Sequence, residues 1–112
     1  MDAQKLMRER NYFAAMMVNV GEADALVSGH SRSYPSVVKP MLQLVDKAPG
    51  ASIVATTNIM MTKRGPMFFS DTAININPSA DDLAKIALMT AKRARMFGVE
   101  PVIAMVSYSN FG

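Results

Sequence analysis

The sequence predicts an α/β fold, a mixed sheet that includes a β-hairpin with helices flanking it. Three observations predict it. Stretches of helical period, near residues 3–20, 34–48 and 79–97, alternate with apolar or alternating runs near 25–29, 52–71 and 102–107. Turn-forming residues stand at the joints: Gly21, Gly29, Pro49 with Gly50, Gly65 with Pro66, Asn77 with Pro78, and Gly98. No internal repeat or linker divides the 112 residues, so residues 1–112 read as one domain.

In residues 3–20, Leu6, Phe13, Met16, Met17 and Val20 fall on one stripe, with Lys5, Arg8, Glu9 and Asn11 off it. Gly21 is expected to end this helix as a left-handed cap. Residues 25–29 read as a short buried strand entering a glycine turn. Tyr34 and Pro35 open a second helix, with proline in the first turn where its missing N–H does no harm, and Pro40 is an early irregularity within it. From Ser52 to Thr62 the chain alternates, with Ile53, Ala55, Ile59 and Met61 on one face and Thr56, Asn58 and Thr62 on the other. Residues 63–66 are turn chemistry, and residues 67–71 return as the second arm of an antiparallel hairpin. Its two phenylalanines and three methionines (Met60, Met61 and Met67) suggest a face covered by something, a second subunit included. Ser79, followed by Asp81 and Asp82, predicts a capped helix start. That helix is expected to bury Leu83, Ile86, Ala87, Ala94 and Phe97, gather Lys92, Arg93 and Arg95 in its last turns, and stop at Gly98. Residues 102–107 then read as a buried strand.

Composition excludes several functions. With no cysteine there is no disulfide framework, thiolate metal site or thiol nucleophile. One histidine and dispersed acidic residues offer no metal-ligand spacing. Twelve basic against nine acidic residues give only +3, a mild attraction for small anions and no footprint for nucleic acid. No apolar stretch reaches the ~18 residues of a membrane span and no charged leader precedes one, so the expectation is a cytoplasmic chain. Eleven methionines fit an adaptable core or a subunit interface. Ser28, His30 and Asp71 form a nominal hydrolase triplet without an elbow motif, and no catalytic residue is assigned on it.

The segment "VSGHSRSYP" is the richest in ligand chemistry. Ser28, Ser31 and Ser33 offer hydroxyls, Gly29 lets backbone approach a ligand, Arg32 supplies a planar donor fork for phosphate or carboxylate, and Tyr34 closes the loop. Two readings fit equally: an anion-binding loop, or a polar turn whose serines cap the following helix. Lys39 is either a second cation facing the loop or a solvated helix residue. Tyr108, Ser109 and Asn110 either join the same rim or are only a loop. Asp71 and Asn75 either organise an Asx turn or bind a ligand.

The segments "GEADALVSG", "KPMLQLVDKAPGAS" and "SDTAININPSADDLAKIALMTAKRARMFGVEPVIAMVSYSNFG" together resemble the phosphate acetyl/butyryl transferase family, in order and over nearly the whole chain. The resemblance implies a two-lobed, isocitrate-dehydrogenase-like fold, of which this chain is one lobe and a partial domain, with further strands expected past Gly112. It implies a cleft for acetyl-CoA or phosphate that includes Ser28, Gly29, Ser31, Arg32, Ser33, Tyr34, Lys39, Tyr108, Ser109 and Asn110. Transferases of the family usually carry threonines after the Ser-Gly turn and end the strand Ser-Tyr-Ser-Thr. Here the turn reads His30, Ser31, Arg32, Ser33, Tyr34 and the ending has Asn110, with Lys39 where arginine is typical.

Those departures are similar to the phosphotransacetylase-like carboxyl-terminal domain of bacterial NADP-dependent malic enzymes. On that resemblance the parent oxidatively decarboxylates malate to pyruvate with NADP and a divalent cation, Mg or Mn. This segment holds no cofactor of its own, binds acetyl-CoA as an effector, and works in a homo-oligomer with the remainder of its chain. The alternatives are a phosphate acetyltransferase moving acetyl between phosphate and CoA, and a non-catalytic oligomerisation module.

Overall fold

The computed structural model describes residues 2–106. They form two compact units that divide between Gly50 and Ala51.

The first unit holds α1 (Ala3–Leu6), α2 (Arg10–Asn19) and α3 (Tyr34–Leu44). The single helix expected over residues 3–20 is therefore two helices. Glu9 takes extended backbone, and its carboxylate accepts the N–H groups of Asn11 at 2.9 Å and Tyr12 at 3.1 Å. A side chain inside the run thus caps a new helix and, being anionic, meets its positive end. The restart turns the buried face. Asn11 and Ala15, one turn apart, are buried, while Phe13 and Val20 of the expected stripe are exposed. Gly21 caps α2 as expected, at φ +79°. Glu22 N–H bonds Met17 C=O at 2.9 Å and Gly21 N–H bonds Val18 C=O at 3.2 Å, the paired pattern of a Schellman end.

In α3, Pro35 lies in the first turn and Pro40 lies inside the helix, fully buried. Proline has no N–H, so the carbonyl four residues before it, that of Ser36, loses its helical donor. The Asn11 side chain supplies one, Nδ2 donating to Ser36 C=O at 3.1 Å. Further along, Asn19 Nδ2 donates to the terminal carbonyl of Leu44, and Tyr12 Oη donates to Gln43 Oε1 at 2.6 Å. Side chains at both ends of α2 are thus tied to α3: Asn11 to its first turn, and Tyr12 and Asn19 to its last. The strand expected at residues 25–29 does not form: no described strand pairs with it, and Val27 is 97% exposed. An extended run without a ladder partner cannot bury its side chains on a sheet.

The second unit holds β1 (Thr57–Thr62), β2 (Gly65–Ser70) and α4 (Ala80–Met96). The strands form the expected antiparallel hairpin, in register from Thr57 opposite Ser70 to Thr62 opposite Gly65. Among the described residues the sheet is this two-stranded hairpin, not a mixed sheet. Residues 101–106 are not a strand, and Val102 is 98% exposed; Ser107 of the expected strand lies outside the described residues.

Ser79 Oγ accepts Asp82 N–H at 3.2 Å while Ser79 N–H donates to the Asp82 carboxylate at 3.1 Å, a reciprocal cap that starts α4 where the sequence placed it. The helix buries Ile86, Ala91 and Ala94; Leu83 and Phe97, expected in the core, are exposed. Gly98 at φ +73° ends it. α4 packs on β2, and the Phe68 and Phe97 rings meet at 5.8 Å between centroids. β1 is left uncovered: Ile59 and Met61 share the Phe68 side of the hairpin, yet Met61 is 79% exposed.

Asp71 closes the base of the hairpin. Its Oδ1 accepts the Thr56 N–H at 2.9 Å, the Thr56 hydroxyl, and the N–H groups of Ala73 at 3.2 Å and Ile74 at 3.4 Å. Its Oδ2 accepts the Asn75 N–H at 2.7 Å and Nδ2 at 2.6 Å. Of the two roles open to Asp71, this is the Asx turn. It also explains why β1 begins at Thr57 and not Ser52, since Thr56 is turned into the carboxylate.

Burial opposes ionisation of Asp71, but the Thr56 hydroxyl and the Thr56, Asn75 and Ala73 N–H groups outweigh it and hold the carboxyl well below its ordinary 3.8. A depressed folded-state value means that the unfolded chain takes up the proton first as pH falls. The stabilisation is therefore complete above about pH 4 and drains away below it. Asp71→Asn is expected to cost about 2 kcal/mol at pH 7. The gap between wild type and variant should narrow at pH 3, as read by urea unfolding at both pH values.

Candidate functional site

Residues 28–34, the loop singled out from the sequence, lie in the first unit and lead directly into α3. Ser28 Oγ donates to Asn11 Oδ1 at 2.8 Å. Asn11 is 3% exposed, so its amide is spent on two partners: the Ser36 carbonyl through Nδ2 and the Ser28 hydroxyl through Oδ1. Gly29 has φ +133°, open only to glycine, and His30 follows at φ +60° in the left-handed region. The Ser31 N–H folds back to Gly29 C=O at 2.8 Å.

Ser33 is the N-cap residue of α3, but its side chain makes no cap hydrogen bond. Its carbonyl instead accepts Ser36 N–H at 3.1 Å and Ser36 Oγ at 2.7 Å. Of the two readings of the loop, helix capping by its serines is thus not realised at Ser33. Ser31, Arg32, Ser33 and Tyr34 are exposed, as is Lys39 on α3.

Arg32 reaches a second feature. Together with Lys5, Arg8, Glu9 and Arg10 it lines an open cleft of about 420 Å³. Lys39 is not among the residues lining it. Tyr108, Ser109 and Asn110, the other expected rim, lie outside the described residues. Among the described residues no group of three or more His, Cys, Asp or Glu side chains is placed to hold a metal ion, and no helix is long and apolar enough to cross a membrane.

Periodicity missed Asn11, because a polar residue in an amphipathic run reads as solvated. The available signal was Pro40, whose missing N–H calls for an outside donor. It missed the cleft because Lys5, Arg8 and Arg10 do not share a face of one continuous helix. The break at Glu9 brings them together.

The described elements define an α/β protein in which a serine-rich loop is held by a buried amide and edged by cations. Its similarity to known proteins specifies it further. The family described as "Phosphate acetyl/butaryl transferase" matches residues 1–112. The chain is 41% identical over 110 residues to the phosphate acetyltransferase of Bacillus subtilis, covering 98% of this chain and 34% of that protein. It is 38% identical over 108 residues to that of Corynebacterium glutamicum (96% of this chain, 33% of that protein). Against that of Nitratidesulfovibrio vulgaris it is 40% identical over 107 residues (96% and 15%). The chain belongs to the phosphate acetyl/butyryl transferase family, and it spans between about a seventh and a third of the length of these relatives.

Replacing Asn11 by Ala strands both the Ser36 carbonyl and the Ser28 hydroxyl, and is expected to cost about 2 kcal/mol. Ser28→Ala leaves only Asn11 Oδ1 without a donor and should cost about 1 kcal/mol. Urea unfolding of the two variants and of the double variant checks this. The double variant should cost less than the two losses added, because the partners share one network.

Proposed function

We propose that this chain is part of a phosphate acetyltransferase, an enzyme that moves an acetyl group between phosphate and coenzyme A. The observation that carries the proposal is the family match over residues 1–112, joined by relatives at 38–41% identity that bear that name. In the reaction the CoA thiolate attacks the acetyl carbonyl carbon, a C–S bond forms, the bond from carbonyl carbon to phosphate oxygen breaks, and orthophosphate leaves with its electron pair. Both substrates are anions. Ser28, Gly29, Ser31, Arg32, Ser33 and Tyr34 are proposed as the part of the cleft wall that receives them, with Lys39 as an outlying cation and Tyr108, Ser109 and Asn110 on the facing rim. Hydroxyls and a guanidinium in a turn of fixed backbone hold phosphate oxygens in place, which is where positioning lowers a barrier between two bound reactants.

The two-lobed fold, the remainder of the chain and assembly with a second copy belong to this proposal as well. The exposed Met60, Met61 and Met67 are the surface offered to them. The malic-enzyme reading, with NADP, Mg or Mn and acetyl-CoA as effector, gives way to transfer here. The relatives named above are acetyltransferases, and the departures at residues 30–34, Lys39 and Asn110 are all that favoured a sensor.

The test is the full-length protein with acetyl phosphate and CoA, following thioester and orthophosphate together. Equal formation of the two is expected. Arg32→Gln is expected to raise KM for the anionic substrate about tenfold. Silence in this assay, with acetyl-CoA instead changing NADP-dependent malate oxidation by the same protein, would return the domain to the sensor reading.

A further inference from the structure

We infer that the cleft between the α1–α2 junction and Arg32 is a binding site for a free polyphosphate anion, one that shares Arg32 with the loop of the proposed function and is otherwise built from residues outside that loop. Four cations line it, Lys5, Arg8, Arg10 and Arg32, against one carboxylate, that of Glu9, leaving three positive charges in excess. None of the four forms an ion pair among the described residues, where the pairs are Lys85 with Asp81 and Arg95 with Glu100. The Glu9 carboxylate is directed to its own helix, Oε2 accepting two backbone N–H groups, so it caps α2 and forms no ion pair with the arginines among the described residues.

The local fold builds this gathering of charge. On an unbroken helix Arg10 would stand about 200° around the axis from Arg8, on the opposite side. The break that Glu9 imposes ends α1 at Leu6 and restarts the chain at Arg10, and Arg8 and Arg10 then line the same hollow. Arg32 arrives from a distant part of the sequence, on the loop whose start is fixed by Ser28 and Asn11.

The shape and the donors select the ligand. Three guanidiniums carry planar donor forks suited to phosphate oxygens. The cations are distributed around a volume of about 420 Å³, open to solvent, which suits a chain of linked phosphates better than one orthophosphate.

The test titrates inorganic tripolyphosphate into the full-length protein by calorimetry at fixed ionic strength, with orthophosphate in parallel. One tripolyphosphate per chain is expected, bound more tightly than orthophosphate. The double variant R8Q/R10Q should weaken it at least about tenfold, and Lys92→Gln, on α4 and outside the cleft, should leave it unchanged. The single variants R8Q and R10Q, each expected to weaken binding about threefold, decide the matter if the double variant unfolds. Three results would overturn the site: no binding, equal weakening by Lys92→Gln, or preference for a single-stranded oligonucleotide over tripolyphosphate. None depends on whether acetyl transfer is observed.

Discussion

Pro40 removes one hydrogen-bond donor from the middle of α3, and the first unit is organised around replacing it. The Ser36 carbonyl that the missing N–H would have served is part-buried, and leaving such a carbonyl unserved costs free energy. The nearest remedy is a side-chain amide on α2. Once Asn11 turns Nδ2 to that carbonyl, its Oδ1 is itself buried and requires a donor, which Ser28 provides. One vacancy in a helix therefore fixes the pairing of α2 with α3 and the point where the serine loop begins. The loop inherits its position from a packing requirement.

Asp71 plays a comparable part in the second unit with a full charge in place of an amide. Its two oxygens gather donors from Thr56, Ala73, Ile74 and Asn75, and Asn75 Nδ2 extends the network to the Val54 carbonyl at 2.8 Å. A carboxylate with that many donors is more stable ionised than in water despite partial burial. The structural consequence is a hairpin whose ladder stops at Thr57 and Ser70. Beyond that point, among the described residues, backbone polar groups are served by side chains, those of Asp71, Asn75 and Ser70.

Elements whose boundaries rest on local chemistry were legible in the sequence. Gly21 and Gly98 end their helices in left-handed conformation, Ser79 caps α4, and the hairpin turns within the expected residues 63–66, although Gly65 and Pro66 already belong to β2. Elements that depend on a partner were not. Residues 25–29 and 101–106 have the apolar composition of buried strands, but composition is a demand for neighbours and the described chain has none to give. The buried face of α2 was illegible for a different reason. Period analysis assumes that polar residues face water, and Asn11 is buried because of a proline in another helix, a dependence across 29 positions that no local window contains. The loop was legible as chemistry, in its hydroxyls and Arg32, while its neighbouring cations stayed hidden behind the assumption that residues 3–20 are one helix.

The loop's backbone bears on how selective it can be. Gly29 and His30 both have positive φ, the Ser31 N–H closes back on Gly29, and Ser36 clamps the Ser33 carbonyl, so the turn between Ser28 and α3 is set before any ligand arrives. A turn already in its final conformation loses less entropy on binding, and what it gains depends on the groups it presents. Those are the exposed Ser31 and Ser33 and a single guanidinium, because Lys39 contributes a point charge where an arginine would offer a second planar fork. On the proposed function, recognition of a phosphate's geometry, as distinct from its charge, would therefore rest on Arg32. The same side chain lines the basic cleft, so a polyanion seated there would compete with the substrate proposed for the loop.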